Sequence, residues 1–195
     1  MKEFIIMGMK IRGDRVSLRP ITKSDARLLL NWRNSRHVAI NSLSRHKITY
    51  AEHIKWFSKL LKDKASIGYI ITINSDNKPI GRVGLRNIDL THKMAELEKM
   101  IGEKEFQGLG FATEASKLLL TYAFAKLGLR RIYAKILPYN LANIKVNKKL
   151  GFRIEGILRK HAFIKNKHFD IVLMGLLKED FVKRLRSWCA NGKRI

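Results

Sequence analysis

Apolar and polar residues fall along this chain in blocks whose spacing predicts one structural element after another. Residues 16–20, VSLRP, alternate as a first strand does. Thr22, with Asp25 three residues on, resembles a capping box ahead of the helical DARLLLNWRN. Thr49 and Glu52 repeat the device before HIKWFSKLLK, where Ile54, Phe57, Leu60 and Leu61 recur at helical spacing. Two helices thus follow the first strand. Residues 67–73, IGYIITI, are β-rich, SDNKP is turn chemistry, and residues 80–88 read as the returning strand of a hairpin. A fourth strand is predicted at 95–102, AELEKMIG. TEASKLLLTYAFAKLG makes a long helix stopped by Gly128, and residues 130–137 make a fifth strand. A short helix opens near Asn140 and closes at Gly151; strands around 157–164 and 170–177 are joined by the turn KNKH, and residues 178–188 form a last amphipathic helix. The order β-αα-βββ-α-β-α-ββ mixes antiparallel hairpins with a strand-helix-strand unit, which predicts a mixed α/β sheet with helices on both faces.

Composition narrows the class. The chain has 195 residues, 46% of them apolar, enough for a real core in a single domain spanning 1–195, with 1–10 as a lead-in and 183–195 as a basic tail. No apolar run approaches the ~20 residues needed to span a bilayer, and FIIMGM is far shorter than a signal-peptide core, so a soluble protein is expected. Cys189 is the only cysteine, which excludes an internal disulfide and a thiolate zinc site, and fits a reducing, cytoplasmic setting with no metal. Lys and Arg number 40 against 16 Asp and Glu, a net charge of +24 that draws in polyanions and favours a phosphate-bearing ligand or partner. The basic residues are spread along the chain with no nucleic-acid-binding fingerprint, and a solvated basic surface without any partner fits the same numbers.

The candidate chemistry centres on EFQGLGFATEA, residues 105–115, where Gly108 and Gly110 stand between a strand and a helix. The free N–H groups and the positive end of the helix dipole point outward there, and residues without side chains let an anion approach. Taken alone, the pair also fits a tight turn that needs glycine only for its dihedrals. GLGFAT is close to a dinucleotide-binding fingerprint, but Thr113 replaces the third glycine, and the next strand carries Arg130 and Arg131 where an acidic ribose ligand would stand. A Walker A loop is absent.

QGLGFA, residues 107–112, matches the Q/R-x-x-G-x-G/A signature of the GNAT acyltransferases, and IGEKEFQGLGFATEA resembles their RimJ/RimL-type branch. NLANIKVNKKLGFRIEGILRK is similar to that branch's N-x-x-S/A…K-x-G-F…E-G-x-x-R block, and KNKHFDIVLMGLLKEDF to its closing hairpin and helix. RPIT..DA.LLLNWRN and H..WF..LL resemble the branch's PseH-like amino-sugar acetyltransferases, so that the likeness covers about residues 11–182. The resemblance implies a GNAT fold, with a central, mostly antiparallel sheet splayed between strands four and five, and acetyl-CoA lying in that V-shaped gap.

By matching positions, Gln107, Gly108, Gly110, Phe111 and Ala112, with Thr113 beside them, would cradle the pyrophosphate. The fourth strand from Lys99 to Gly102, with Met100, Ile101 and Gly102 as the named contacts, would line the pantetheine arm, a bulge turning an N–H toward the thioester oxygen. Transfer would be direct, with Cys189 a bystander. An amine attacks only when neutral, and Glu96 and Glu98, one alternation apart on the fourth strand, are the candidate bases; each also reads as a solvent-facing charge on an edge. Asn147 stands where many members carry a tyrosine whose hydroxyl protonates the leaving thiolate. Asparagine cannot act as an acid. It would orient the sulfur, with the proton coming from water, the attacking ammonium, Tyr139 or His161. Asn140 matches an asparagine that bonds the pantetheine, while Asn143 stands where serine or alanine is usual, a plain helix cap being an equal contender. Trp32, Trp56 and Phe57 fit core as well as cleft; Arg33, Asn34 and His53 are the other candidates for the acceptor site.

Three amine acceptors suit the branch: a protein N-terminus, a nucleotide-linked amino sugar and a polyamine. The net charge of +24 argues against a polycation and favours an acidic or phosphate-bearing acceptor. WRN and H..WF lean toward the amino sugar, whereas the basic surface equally suits an N-terminal acetylase working near the ribosome or RNA. The rival from another class is a non-enzymatic nucleic-acid-binding domain with a degenerate cofactor pocket. A homodimer is an expectation by analogy with the family.

Overall fold

The computed structural model describes residues 9–43 and 46–190; residues 1–8 of the expected lead-in and 191–195 of the expected tail lie outside the described residues. A two-residue strand β1 (Ile11–Arg12), too brief to register as alternation, precedes β2 (Val16–Pro20). Then come α1 (Ala26–Asn34), α2 (Arg36–Ala39), α3 (Tyr50–Lys62), β3 (Ile67–Ile73), β4 (Pro79–Asp89) and β5 (Met94–Ile101). The chain closes with α4 (Phe111–Ala125), β6 (Arg131–Ile136), α5 (Leu141–Leu150), β7 (Arg153–Ile164), β8 (Lys167–Leu177) and α6 (Lys178–Ala190). Helix α2 was not expected, because a single turn is too short to show helical periodicity. β7 starts earlier than its pattern suggested: Arg153 and Ile154 pair with Gly175 and Met174, but their outward side chains leave no alternation to read.

Both capping signals are used. Glu52 N–H donates to Thr49 Oγ1 at 3.3 Å and Thr49 N–H returns a bond to the Glu52 carboxylate at 2.8 Å, fixing the start of α3. Asp25 accepts from Thr22 N–H at 2.8 Å and from both terminal nitrogens of Arg19 at 2.7 and 2.8 Å, tying the start of α1 to β2.

The strands form one sheet in the order β1-β2-β3-β4-β5-β6-β8-β7, antiparallel throughout except where β5 meets β6. That parallel contact is short: Met94, Ala95 and Glu96 face Arg131, Ile132 and Tyr133. Beyond it each strand follows its other neighbour, β5 along β4 to the Gly81–Ile101 pair and β6 along β8 to the Ile136–Val172 pair. The twist of the two halves then draws the strands apart, and the sheet opens as a V.

Alternation along β5 sends its residues to two different cores. Ala95, Leu97 and Ile101 pack with α4, α5 and α6, whereas Met100 joins Trp32, Phe57 and Ile70 beneath α1 and α3. Helix α4 is apolar nearly all round, burying Leu118, Leu119, Leu120, Tyr122 and Phe124, the last with its ring 5.3 Å from that of Phe181 on α6. Each such side chain contributes roughly 1.5–3 kcal/mol of burial. The consequence is a rigid rod whose N-terminus is held at the mouth of the V.

Candidate active site

The segment between β5 and α4 delivers backbone donors. Gly102 and Glu103 N–H groups donate to Ile80 O at 2.8 and 3.2 Å, anchoring the end of β5. Gly108 (φ 78°) and Gly110 (φ 87°) then take left-handed conformations that an L side chain resists, and Gly110 caps α4. Thr113 and Glu114 N–H groups turn back to Gly110 O, so neither is a free main-chain donor. Among the described residues, the N–H groups of Gly108 through Ala112 donate no hydrogen bond within the protein. A run of free donors at a helix N-terminus is an anion site in waiting.

Two residues that the sequence reading missed brace this loop. Arg15 donates to Leu109 O at 3.1 Å, lies 4.6 Å from the centre of the Phe111 ring and pairs with Glu114 at 2.9 Å. Glu114 also accepts from the main-chain N–H groups of Arg15 and Val16 at 2.7 and 3.2 Å. No local pattern links residues so far apart in the chain; only the sheet brings them together.

The gap beside β5 is equally specific. Because Gly102 N–H points to β4 and the register from Glu96 to Ile101 is regular, the main-chain groups of Met100 also face β4, and those of Lys99 and Ile101 face the gap. The Gln107 side chain, donating to Ile101 O at 3.2 Å, marks that direction. The bulge expected near residues 99–102 is not there. The irregularity lies between Arg86 and Asp89, where Asn87 takes a φ of 51°, and plain alternation presents the free groups of β5 instead.

Across the gap, Asn140 caps α5 by accepting from Asn143 N–H at 3.2 Å. Asn143 Oδ1 and Asn147 Nδ2 are buried without a hydrogen-bond partner, one helical turn apart on the same face. Asn147 is fully buried, and its Oδ1 accepts from Lys99 Nζ. Lys99 is partly exposed as a residue, yet its amine is drawn inward to this buried amide, and burial pushes its pKa down to about 7. The sequence reading passed over Lys99 as a side chain. The available signal was the one charged residue among Ala95, Leu97 and Ile101 on the core-facing alternation.

On the opposite face of β5, Glu96 and Glu98 meet arginines of β4. Arg86 donates to Glu96 at 2.7 Å and stands 3.1 Å from Glu98, which also accepts from Arg82 at 3.2 Å. β5 lies inside the sheet, and Glu96 is 2% exposed, so neither is an edge charge. Arg33 lies over Trp56, 5.3 Å from the ring centre, and among the described residues has no carboxylate within ion-pair reach. Its pKa is lowered, first by burial and then by the charge of Arg82, with Glu98 opposing.

The remaining candidates are engaged elsewhere. Trp32 is 3% exposed, donates to Glu103 at 2.7 Å and packs so closely on Gly102 that a Cβ there would land on the indole. Asn34 exchanges two hydrogen bonds of 2.9 Å with the main chain of Ile48, pinning the approach to α3. His53 is buried and stacked on Phe57, and burial lowers its pKa. Tyr139 stands edge-on to Phe169, His161 is exposed on β7, and Cys189 is exposed near the end of α6.

The family description "Acetyltransferase (GNAT) domain" matches residues 15–153. The chain belongs to the GNAT acetyltransferase family. An uncharacterised N-acetyltransferase of Bacillus licheniformis, p20, is 29% identical over 171 residues, 86% of this chain and 96% of the relative. Spermidine N(1)-acetyltransferase of Escherichia coli (strain K12) is 28% identical over 167 residues, 86% of this chain and 88% of the relative. Among solved structures, spermidine N-acetyltransferase from Vibrio cholerae, in complex with CoA and spermine, superposes with a TM-score of 0.78 at 26% identity, covering 87% of this chain and 99% of that one.

This GNAT protein is therefore an enzyme, an N-acetyltransferase with acetyl-CoA as its donor, which sets aside the non-enzymatic nucleic-acid-binding alternative. Its residues suit that donor. Free N–H groups at the start of α4 match a diphosphate, and an unpaired strand edge with two unmatched buried amide atoms matches a chain carrying its own amides. No helix among the described residues is long and apolar enough to cross a membrane.

Proposed function

We propose that this enzyme, a member of the RimJ/RimL-type branch, moves the acetyl group of acetyl-CoA directly to a primary amine on an anionic acceptor, a nucleotide-linked amino sugar fitting best. Gln107, Gly108, Gly110, Phe111 and Ala112 hold the pyrophosphate. Ile101, through its main chain, and Asn143 and Asn147, through their unmatched amide atoms, hold the pantetheine arm. Glu98, more open than Glu96, takes the proton from the incoming amine, while Glu96 and Arg86 set its position.

One observation carries the choice of acceptor. The face that Glu96 and Glu98 share holds three guanidinium groups, Arg33, Arg82 and Arg86, and both carboxylates are already paired with the latter two. The surplus cation is Arg33, half-buried beside Trp56, which suits a phosphate better than a second ammonium. A protein N-terminus near RNA is the second reading, favoured by the net charge of +24. A cytoplasmic setting and a homodimer belong to the same proposal.

The test is release of CoA thiol from acetyl-CoA with three acceptors: a UDP-linked amino sugar, peptides with free N-termini and spermidine. Turnover with the amino sugar is expected, and Arg33→Met should raise its KM at least about tenfold, the loss of one charge-assisted contact, leaving the KM for acetyl-CoA unchanged. Turnover with spermidine alone would overturn the anionic assignment.

A further inference from the structure

We propose that Lys99 is the acid of this enzyme, donating a proton from Nζ to the departing sulfur of CoA while Asn147 aims it. The inference rests on the reading of the gap between β5 and β6 as the seat of acetyl-CoA. Three observations lead to it. Lys99 Nζ reaches across the gap, beyond the last β5–β6 pair, to a side chain on α5 that is fully buried. Asn147 then has its Oδ1 matched and its Nδ2 orphaned, and Asn143 Oδ1 one turn earlier is orphaned too, so the protein alone leaves this pocket polar and incomplete. Lys99 is also no structural ion pair: among the described residues no carboxylate lies within salt-bridge reach, its lateral neighbour on β4 is Val83, and Glu96 and Glu98 point to the other face of its own strand. An unpaired lysine held this way costs stability, which makes a functional reason the natural one.

The arrangement separates the two proton tasks across one strand. On one face the amine nitrogen bonds to the acetyl carbon and passes its surplus proton to Glu98. On the other the carbon–sulfur bond breaks, the sulfur keeps the electron pair, and Lys99 supplies the proton that makes it a thiol. Glu98 releases its proton to water and the neutral lysine takes one back from water, so charge and atoms balance over the cycle. With its pKa near 7 the ammonium is more acidic than an ordinary thiol near 8.5, so the transfer runs downhill. Asparagine at 147 is then a positioning residue: it cannot donate the proton, but it fixes the group that does.

The test begins without an acceptor. CoA is bound to the wild type, and to Lys99→Met, Lys99→Arg and Lys99→Cys in a Cys189→Ser background, and ionisation of its thiol is followed by ultraviolet thiolate absorbance against pH. Above pH 7 the wild-type amine is neutral, so its bound thiol should ionise near the pH seen in Lys99→Met, while Lys99→Arg, whose cation persists, should lower that midpoint by about one pH unit or more. With whichever of the three acceptors turns over, Lys99→Met and Lys99→Arg should both lower kcat on the order of 100-fold at an unchanged KM for acetyl-CoA, since a guanidinium cannot release its proton. Aminoethylation of Lys99→Cys, which rebuilds the amine, should restore kcat. A kcat that ignores Lys99→Met, or a thiol midpoint that ignores Lys99→Arg, would overturn the assignment of Lys99 alone. Failure of the wild type to bind CoA would overturn the reading of the gap, and this assignment with it.

Discussion

Replacing Lys99 by methionine keeps an unbranched stem of similar length and removes the ionisable amine, so the difference in stability between the two proteins isolates that amine's titration. In the folded chain burial pushes the group from an ordinary 10.5 down to about 7; on unfolding it returns to water and to its ordinary value. Between those two values the unfolded chain binds a proton that the folded chain has released. Wild-type stability must then rise with pH across that window, by up to about 1.4 kcal/mol per pH unit, while below pH 7 both states are charged and the slope vanishes. The variant has no such slope. From pH 6 to pH 9 the wild type should therefore gain about 3 kcal/mol on Lys99→Met.

Loss of the bond from Lys99 to Asn147 adds a roughly constant offset of about 1–3 kcal/mol, which displaces the difference curve without changing its shape. Urea midpoints followed by circular dichroism at pH 6, 7, 8 and 9, at fixed ionic strength, supply the curve for both proteins. Other groups titrate alike in the two chains and cancel. Parallel curves would mean that the amine is solvated in the folded protein, and the argument from burial would fail.

Gly110→Asp places a carboxylate among the free N–H groups at a φ of 87°, its Cβ 3.3 Å from the flexible end of Arg15, so a strain of about 1–2 kcal/mol should leave the fold intact by circular dichroism. Titration calorimetry should show acetyl-CoA affinity lowered at least about 100-fold, as expected when a donor site is filled by a like charge; unchanged affinity would remove the pyrophosphate from this loop. Glu98→Gln should lower kcat by roughly 100- to 10,000-fold at an unmoved Kd for acetyl-CoA, whereas Glu96→Gln, which leaves Arg86 short of a buried partner at 2.7 Å, should cost roughly 1–3 kcal/mol of stability first. The opposite ranking in kcat would exchange the roles of the two carboxylates. In a double-mutant cycle, Asn147→Tyr should rescue kcat in Lys99→Ala, with a coupling of at least about 1 kcal/mol, because the phenol and the amine compete for one gap; additive losses would show that the two positions do not share a task.

What the sequence disclosed followed from local physics. Capping residues, apolar spacing and the two glycines each act within a few residues, so α1, α3, α4 and the turn at Gly108 and Gly110 ahead of α4 could be read directly. The bracing of that turn by Arg15 and Glu114 could not, since it depends on β2 lying beside α4. Glu96 and Glu98 were visible as a pair on one face, but their arginine partners Arg82 and Arg86 came into view only with the register of β4 against β5. Trp32 was open between core and cleft on its helical spacing alone, and the close approach of Gly102 makes the indole part of the core.

The opening of the sheet and the chemistry of Lys99 have one cause. A strand inside a sheet normally has both edges paired, and a lysine on it would meet a neighbour's side chain on either flank. β5 loses its β6 partner after Glu96, so Lys99 has Val83 beside it on one flank and the gap on the other. With no strand there to carry a matching carboxylate, the amine turns to Asn147 on α5, a neutral partner that relieves little of the cost of burying charge. A carboxylate at 147 would have held the lysine as a stable cation unable to give its proton away at neutral pH. An asparagine leaves it poised between its two states, and the parting of the strands that, on the proposed reading, makes room for the donor's amides is thus also what leaves this buried amine without a counter-charge.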